Sequence, residues 1–200
     1  MSATIGIIDT GRSGNTFSIK RSISLAGGKW VEVKDVQALE RVDKIILPGV
    51  GAFKDAMREL TAHGLVGPLQ EHMNRKPTLG ICLGMQIMAR IGFEHGKTEG
   101  LNVFDAEVQS LRCEGKVPHM GFNKINIVKE NKILKGVENE PFYFMHSYEL
   151  VNYTDIASLT SYKSHQFVSA IAKGDIFGVQ FHPEKSRDAG VQIFKNFIDY

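Results

Sequence analysis

Short β-branched runs alternate with longer stretches of helical period through the first ninety residues, and this alternation limits the possible folds more than any other feature of the chain. Thr4-Ile5-Gly6-Ile7-Ile8 predicts a buried strand ending at Asp9. Phe17, residues 19–23 and Leu25 then form a helical stripe that halts at Gly27-Gly28. Residues 30–33 and 44–47 read as further strands, the second closed by Pro48-Gly49. Helical patterns follow over residues 53–60 and 65–75, the latter with Pro68 in its first turn, where a missing N–H costs nothing. Residues 78–81 are another strand and 83–90 another helix. Strands separated by helices predict an α/β fold with a mostly parallel central sheet and helices on both faces. From residue 102 to 172 the runs shorten, with turn signals at Glu114-Gly115, Lys135-Gly136 and Lys173-Gly174, so smaller antiparallel strands are expected there. A last strand, residues 176–181, leads through His182-Pro183-Glu184 to a helix over residues 189–198. No repeat or linker interrupts the pattern, and the 200 residues are expected to form one domain.

Composition narrows the function classes. A net charge of +2 creates no field able to hold nucleic acid or an anionic membrane. The longest apolar runs span a few residues, against the roughly 18 needed to cross a bilayer. Met1-Ser2-Ala3-Thr4 lacks the basic-then-apolar pattern of a signal peptide. Cys82 and Cys113 match no metal-ligand spacing, so neither metal nor cofactor is expected. A cytoplasmic protein with reduced thiols is the expectation.

The most informative segment is Thr78-Leu79-Gly80-Ile81-Cys82-Leu83-Gly84-Met85-Gln86, which has the layout of a nucleophile elbow with cysteine in the nucleophile position. A sharp strand-to-helix turn projects its central side chain above the sheet, and a glycine on each side at ±2 leaves room for the strained backbone. The helix that follows points its positive end at the sulfur. The Leu83 N–H is one candidate oxyanion donor. Gln86 lies one helical turn later on the same face, within reach of a bound substrate. A buried core cysteine in a glycine-rich turn is the plainer alternative, and Cys113, in a charged turn, reads as a bystander.

A cysteine nucleophile needs a base and a group to orient that base. Of seven histidines, His63, His72 and His95 lie among polar residues and His165 in a turn. His182 leaves the last apolar strand at its C-terminal end, the edge at which parallel sheets bind ligands, and Glu184 two residues on can reach back to its ring. His146, closing Phe142-Tyr143-Phe144-Met145, is the runner-up base, although His146-Ser147-Tyr148 reads better as the wall of a substrate pocket. His119 reads as loop-borne, structural or interfacial. The loop Leu47-Pro48-Gly49-Val50-Gly51-Ala52-Phe53 leaves another strand at the same edge and can turn a backbone N–H from Val50 or Gly51 toward an oxyanion. Gly6-Ile7-Ile8-Asp9-Thr10-Gly11-Arg12-Ser13 nearly fits a phosphate-binding loop, but arginine stands in place of the lysine and the first glycine falls inside a strand, which argues against a nucleotide site.

Gly80-Ile81-Cys82-Leu83-Gly84-Met85-Gln86 together with Phe181-His182-Pro183-Glu184 resembles the class I, triad-type, glutamine amidotransferases. Residues 47–53, Pro118-His119-Met120-Gly121-Phe122-Asn123 and residues 142–148 resemble, within that family, the glutaminase subunits of imidazole glycerol phosphate synthases. The resemblance runs from Ile5 to the final helix. It implies that Cys82 attacks the side-chain amide of glutamine, His182 shuttles the proton and Glu184 orients His182. It implies further that Val50, Gly51, Leu83, Gln86, His146, Ser147 and Tyr148 line the oxyanion and glutamine site. Ammonia would then pass to a (β/α)₈-barrel cyclase subunit in a heterodimer, with Pro118, His119, Met120, Phe122, Asn123 and Lys185 at the interface. Two departures stand out: Phe122 occupies a position where the family usually has tryptophan, and the turn over residues 9–16 is one residue longer than usual. They leave open a paralogous branch that supplies ammonia for amidino-sugar synthesis in surface polysaccharide. From the residues alone, a cysteine hydrolase acting on peptides or small aldehydes and a non-catalytic module on the same scaffold are further alternatives.

Overall fold

In a computed structural model of the chain, residues 3–11 and 16–200 are described. The expectations for Met1, Ser2, Arg12, Ser13 and most of the lengthened turn lie outside those residues. The first half alternates as the sequence predicts: β1 (Thr4–Ile8), α1 (Thr16–Leu25), β2 (Lys29–Val33), α2 (Val36–Glu40), β3 (Lys44–Leu47), α3 (Phe53–Ala62), α4 (Val66–Met73), β4 (Thr78–Ile81) and α5 (Leu83–Ile87). The strand-rich half follows with β5 (Ala89–Gly92), β6 (Thr98–Glu99), β7 (Phe104–Ser110), β8 (His119–Lys124), β9 (Asn126–Ile127), β10 (Pro141–His146), β11 (Tyr148–Val151), β12 (Ile156–Tyr162), β13 (His165–Lys173) and β14 (Ile176–Val179), ending in α6 (Arg187–Asp199).

The central sheet has the order β2-β1-β3-β4-β14-β13-β12-β9. The four pairings from β2 to β14 are parallel, and the three beyond β14 are antiparallel. The parallel strands β3, β4 and β14 are buried along their whole length, as strands covered on both faces must be. Period-two alternation divides their side chains between two cores. Ile45 and Leu47 pack with α3, α4 and α5, while Ile46, Leu79, Ile81, Phe177 and Val179 pack with α1 and α6. A four-stranded sheet, β11-β7-β5-β6, and a two-stranded antiparallel ribbon, β10-β8, flank the main sheet.

Two local readings differ from the sequence. The helix expected over residues 83–90 stops at Ile87 and the chain becomes β5. The carbonyls of Ile87, Met88 and Ala89, which a continuing helix would use, accept instead from the N–H groups of Leu101, Val103, Phe104 and Asn102. A tertiary partner thus outcompetes helix propagation. The short α2 is a further element that the sequence pattern does not predict, although its signal is present: the Asp35 side chain accepts the Ala38 N–H at 2.8 Å as an N-cap. Among the described residues no helix is long and apolar enough to cross a membrane.

Candidate active site

Strands β4 and β14 are far apart in sequence but hydrogen-bonded neighbours, so their C-terminal ends open side by side. Cys82 leaves β4 with φ of 52° and ψ of −109°, a left-handed strained conformation for a side-chain-bearing residue. Its N–H donates to Val179 O at 2.7 Å, which pins the turn to β14. The tightness explains Gly84: a Cβ built there would fall 1.8 Å from Leu47 O on β3. The elbow geometry is therefore as expected. The helix behind it is not, because α5 has only five residues and its dipole is correspondingly small.

His182 follows β14 after Gln180 and Phe181 and is 1% exposed. Its N–H donates to Tyr143 O at 2.8 Å, and its own carbonyl accepts from the Ser186 hydroxyl at 2.6 Å, whose Oγ in turn accepts the Tyr143 N–H at 2.9 Å. These bonds brace the Pro183–Lys185 turn against β10. That turn brings Glu184, its side chain wholly buried, to 2.8 Å from His182 Nδ1. The carboxylate can only accept, so Nδ1 carries a proton and Nε2 is the nitrogen presented to the cysteine. Nε2 is buried and makes no hydrogen bond of ordinary geometry within the protein. Burial alone would lower the pKa of this ring, but the Cys82 thiolate charge, reinforced by Glu184, overcomes that and raises it to about 10. The ring is thereby held toward its protonated form beside the sulfur.

A cavity of about 240 Å³ lies over the sulfur, lined by Gly49, Val50, Gly51, Cys82, Leu83, Gln86, Glu94, Pro118, Met145, His146, Ser147, Tyr148 and His182. It is smaller than the roughly 300–1,000 Å³ of drug-sized sites and suits a molecule of amino-acid size. Every residue anticipated for the oxyanion and substrate site lines it. Gly51 has φ of 114°, a conformation open to glycine. Larger depressions among the described residues, about 600 Å³ between Arg75 and Lys173, about 840 Å³ between Asn126 and Glu138 and about 460 Å³ between Lys54 and Gly100, have neither Cys82 nor His182 in their walls.

Several expectations need correction. Gln86 does face the cavity, but its amide Nε2 is already committed to Tyr148 O at 3.0 Å and Gln180 Oε1 at 2.9 Å, so that nitrogen shapes the wall and is not held ready for a ligand. His146 cannot serve as the base. Its Nδ1–H donates to Tyr148 O at 2.9 Å, its Nε2 accepts from His119 Nδ1 at 3.1 Å, and burial lowers its pKa to about 4. His119 is on a strand, not a loop, and is 3% exposed, stacked against Tyr162 with ring centroids 4.0 Å apart; it offers no surface to a partner. Pro118 lines the cavity beside it. His165, expected in a turn, opens β13 and holds the buried carboxylate of Glu149 at 2.9 Å.

The remaining interface candidates do reach the surface. Met120 and Phe122 point outward from β8, at 57% and 44% exposure. Phe122 lies edge-on to Tyr143 and beneath the Arg187 guanidinium, Lys185 sits over the Tyr143 ring, and Asn123 donates to Ser161 O at 2.9 Å. Two site residues escape a reading of the sequence. Glu94 enters the cavity from a distant loop while accepting the Phe53 N–H at 2.7 Å, and no local pattern announces it. Gln180, fully buried, stands two residues before His182, so strand periodicity alone places it on the same side.

Residues 7–200 match the family model described as glutamine amidotransferase class-I. The chain is 38% identical over 199 residues to the imidazole glycerol phosphate synthase subunit HisH 1 of Campylobacter jejuni strain RM1221, covering 97% of this chain and 98% of that one. It is 40% identical to the subunit HisH of Caldanaerobacter subterraneus subsp. tengcongensis, with 96% of each chain covered. Among solved structures, a putative GMP synthase subunit from Thermoplasma acidophilum shares the fold with a TM-score of 0.75 at 23% identity, over 100% of this chain and 94% of that chain. Matched over nearly its full length by that family model and by relatives of this identity, the chain belongs to the class I glutamine amidotransferases.

Proposed function

We propose that the chain is the glutaminase subunit of an imidazole glycerol phosphate synthase, acting in histidine biosynthesis in the cytoplasm. The observation that carries this reading is Cys82 on the β4 elbow beside a buried His182 backed by Glu184 at 2.8 Å, in a protein whose relatives are named for that synthase. The Cys82 thiolate attacks the carboxamide carbon of glutamine. The carbonyl oxygen becomes an oxyanion, met by the Leu83 N–H, one of the N–H groups in the first turn of α5 that lack a helical partner, and by a backbone N–H of the Val50–Gly51 loop. The His182 imidazolium gives its proton to the departing nitrogen, ammonia leaves, and a glutamyl thioester remains. Water, deprotonated by the now neutral His182, attacks the thioester. The C–S bond breaks, and glutamate and the thiolate–imidazolium pair are regenerated. Glu184 holds the ring in one tautomer throughout.

Glu94 supplies the carboxylate in the pocket wall that pairs with the α-ammonium of a free amino acid, which favours glutamine over a glutaminyl peptide. The ammonia passes to a (β/α)₈-barrel cyclase subunit docked over Met120, Phe122 and Lys185. That heterodimer converts the phosphoribulosyl-formimino intermediate to imidazole glycerol phosphate and the aminoimidazole carboxamide ribonucleotide. Two unpaired thiols suit a reducing compartment.

The test is glutamine hydrolysis by the chain together with its native partner, with and without Cys82→Ala. Loss of at least about 10³-fold with an unchanged melting temperature supports the proposal, and retained hydrolysis rejects it. Consumption of the phosphoribulosyl substrate by the same complex supports the histidine pathway; ammonia delivered to a sugar instead assigns the chain to the polysaccharide branch.

A further inference from the structure

Successive side chains of an extended strand point to opposite sides, so residues two apart share a side. Beyond β14 the chain reads Gln180-Phe181-His182. Phe181 turns into the core and stacks on Phe142 with ring centroids 4.1 Å apart. His182 and Gln180 both turn the other way, toward Cys82. Gln180 is 0% exposed, and its Nε2 lies 3.5 Å from Cys82 Sγ. A carboxamide withdrawn from water must use its hydrogen bonds well or destabilise the fold, and here one of them ends on the nucleophile.

The orientation of that amide follows from its neighbours. Tyr148 O can only accept, so the Gln86 atom 3.0 Å from it is the donating nitrogen. The same nitrogen sits 2.9 Å from Gln180, which must therefore present its oxygen to Gln86. The Gln180 nitrogen is then left facing the sulfur. Tyr148 O also accepts from His146 Nδ1, so a single carbonyl fixes both the amide chain toward Cys82 and the ring chain toward His119.

We infer that Gln180 is a positioning residue for the nucleophile: its Nε2–H donates to the Cys82 thiolate, held in that orientation through Gln86 by the Tyr148 carbonyl, and so sets both the aim and the reactivity of the sulfur. His182 approaches the sulfur as the proton carrier; Gln180 approaches as a fixed, proton-retaining donor. Thiolates gain from such donors because charged hydrogen bonds are about twice as strong as neutral ones. The inference deepens the proposed glutaminase reading and concerns the same sulfur. The other titratable groups facing this site are His182, with Glu184 behind it, His146 from β10 and Glu94 across the cavity; the Met145 carbonyl lies 3.9 Å from Sγ.

The experiment is the pH dependence of Cys82 alkylation by iodoacetamide in the full chain carrying Cys113→Ser, with the modified peptide identified by mass. Gln180→Met keeps length and bulk but removes the donor. Its alkylation midpoint is expected to rise by about one pH unit. With partner and glutamine, kcat is expected to fall about tenfold at nearly constant KM, the signature of an interaction with the reacting atom. Gln180→Glu keeps the shape and replaces the donor by an acceptor, so its midpoint should rise further. Gln86→Met frees the Gln180 amide to flip and should give a smaller rise; it decides the matter if the Gln180 variants do not fold. A midpoint unchanged in a folded Gln180→Met protein, or in Gln86→Met when the former does not fold, overturns the inference. Alkylation requires no glutamine. A shifted midpoint in a protein that never hydrolyses glutamine would keep Gln180 on the sulfur while rejecting the substrate, and an unshifted midpoint in an active enzyme would reject Gln180 alone.

Discussion

The edge formed by β4 and β14 and the β8–β10 ribbon beside it use strands of similar length for opposite ends. At the edge both strands are buried on two faces, and main-chain bonds such as Cys82 N–H to Val179 O decide where the side chains point. In the ribbon only alternate residues are committed. His119, Phe144 and His146 face inward, while Met120 and Phe122 face outward and stay substantially exposed. The lesson is that chemistry is placed where backbone geometry is over-determined, while the residues free to change without cost to the fold lie one position away on the ribbon. One acceptor is shared by the two regions. Tyr148 O takes the Gln86 amide from the side of the edge and the His146 ring from the side of the ribbon.

The comparison can be broken or sharpened by experiment. The largest expected effect is on His182, whose pKa is held up to about 10, with burial opposing and the Cys82 thiolate the leading favourable influence. In Cys82→Ala that charge is gone, and the ring should titrate at least about two pH units lower in an imidazole NMR titration. An unchanged value would show that Glu184 alone holds the proton. Next, Gly84→Ala places a methyl against Leu47 O and should destabilise the fold by about 3 kcal/mol in urea denaturation; a loss below about 0.5 kcal/mol would mean that the elbow can give way.

The inward side of the ribbon should show a smaller, pH-dependent effect. His146 titrates at about 4 when folded and near 6.5 when unfolded, because burial disfavours its charged form. Between those values the unfolded chain binds more protons, so stability falls as pH drops from about 6.5 to about 4, by on the order of 2–3 kcal/mol, with no further loss from this group below that window. His146→Gln should flatten that part of the stability profile, and an equally steep profile would place the acid sensitivity elsewhere. The outward side should matter least to the fold. Met120→Ala and Phe122→Ala are expected to change unfolding free energy by under about 0.5 kcal/mol and leave Cys82 alkylation alone, while weakening association with the barrel partner in a binding titration.

Much of this is legible in the residues. The β–α alternation predicts the parallel sheet, Gly-Ile-Cys-Leu-Gly predicts the elbow, and the two-residue step from His182 to Glu184 predicts an ion pair that measures 2.8 Å. Where sequence and structure part, the departures share one cause. The helix after Cys82 is shorter than its pattern implies because the donors that end it, at residues 101–104, are remote in sequence. Gln86 looks free for a ligand until its partners are known, and these, Tyr148 and Gln180, are 62 and 94 residues away. His119 looks like a surface residue because its stacking partner Tyr162 comes from a different sheet.

By itself, then, the sequence determined which residues could carry the chemistry, because turn strain, glycine spacing and strand period are local properties set by neighbouring side chains. Tertiary structure decided which of them would. Only the pairing of β4 with β14 sets His182 beside Cys82, and only burial against β8 strips His146 of its proton and its role. Hydrogen-bond partnership and desolvation depend on groups that arrive from distant parts of the chain, and no window of sequence contains them.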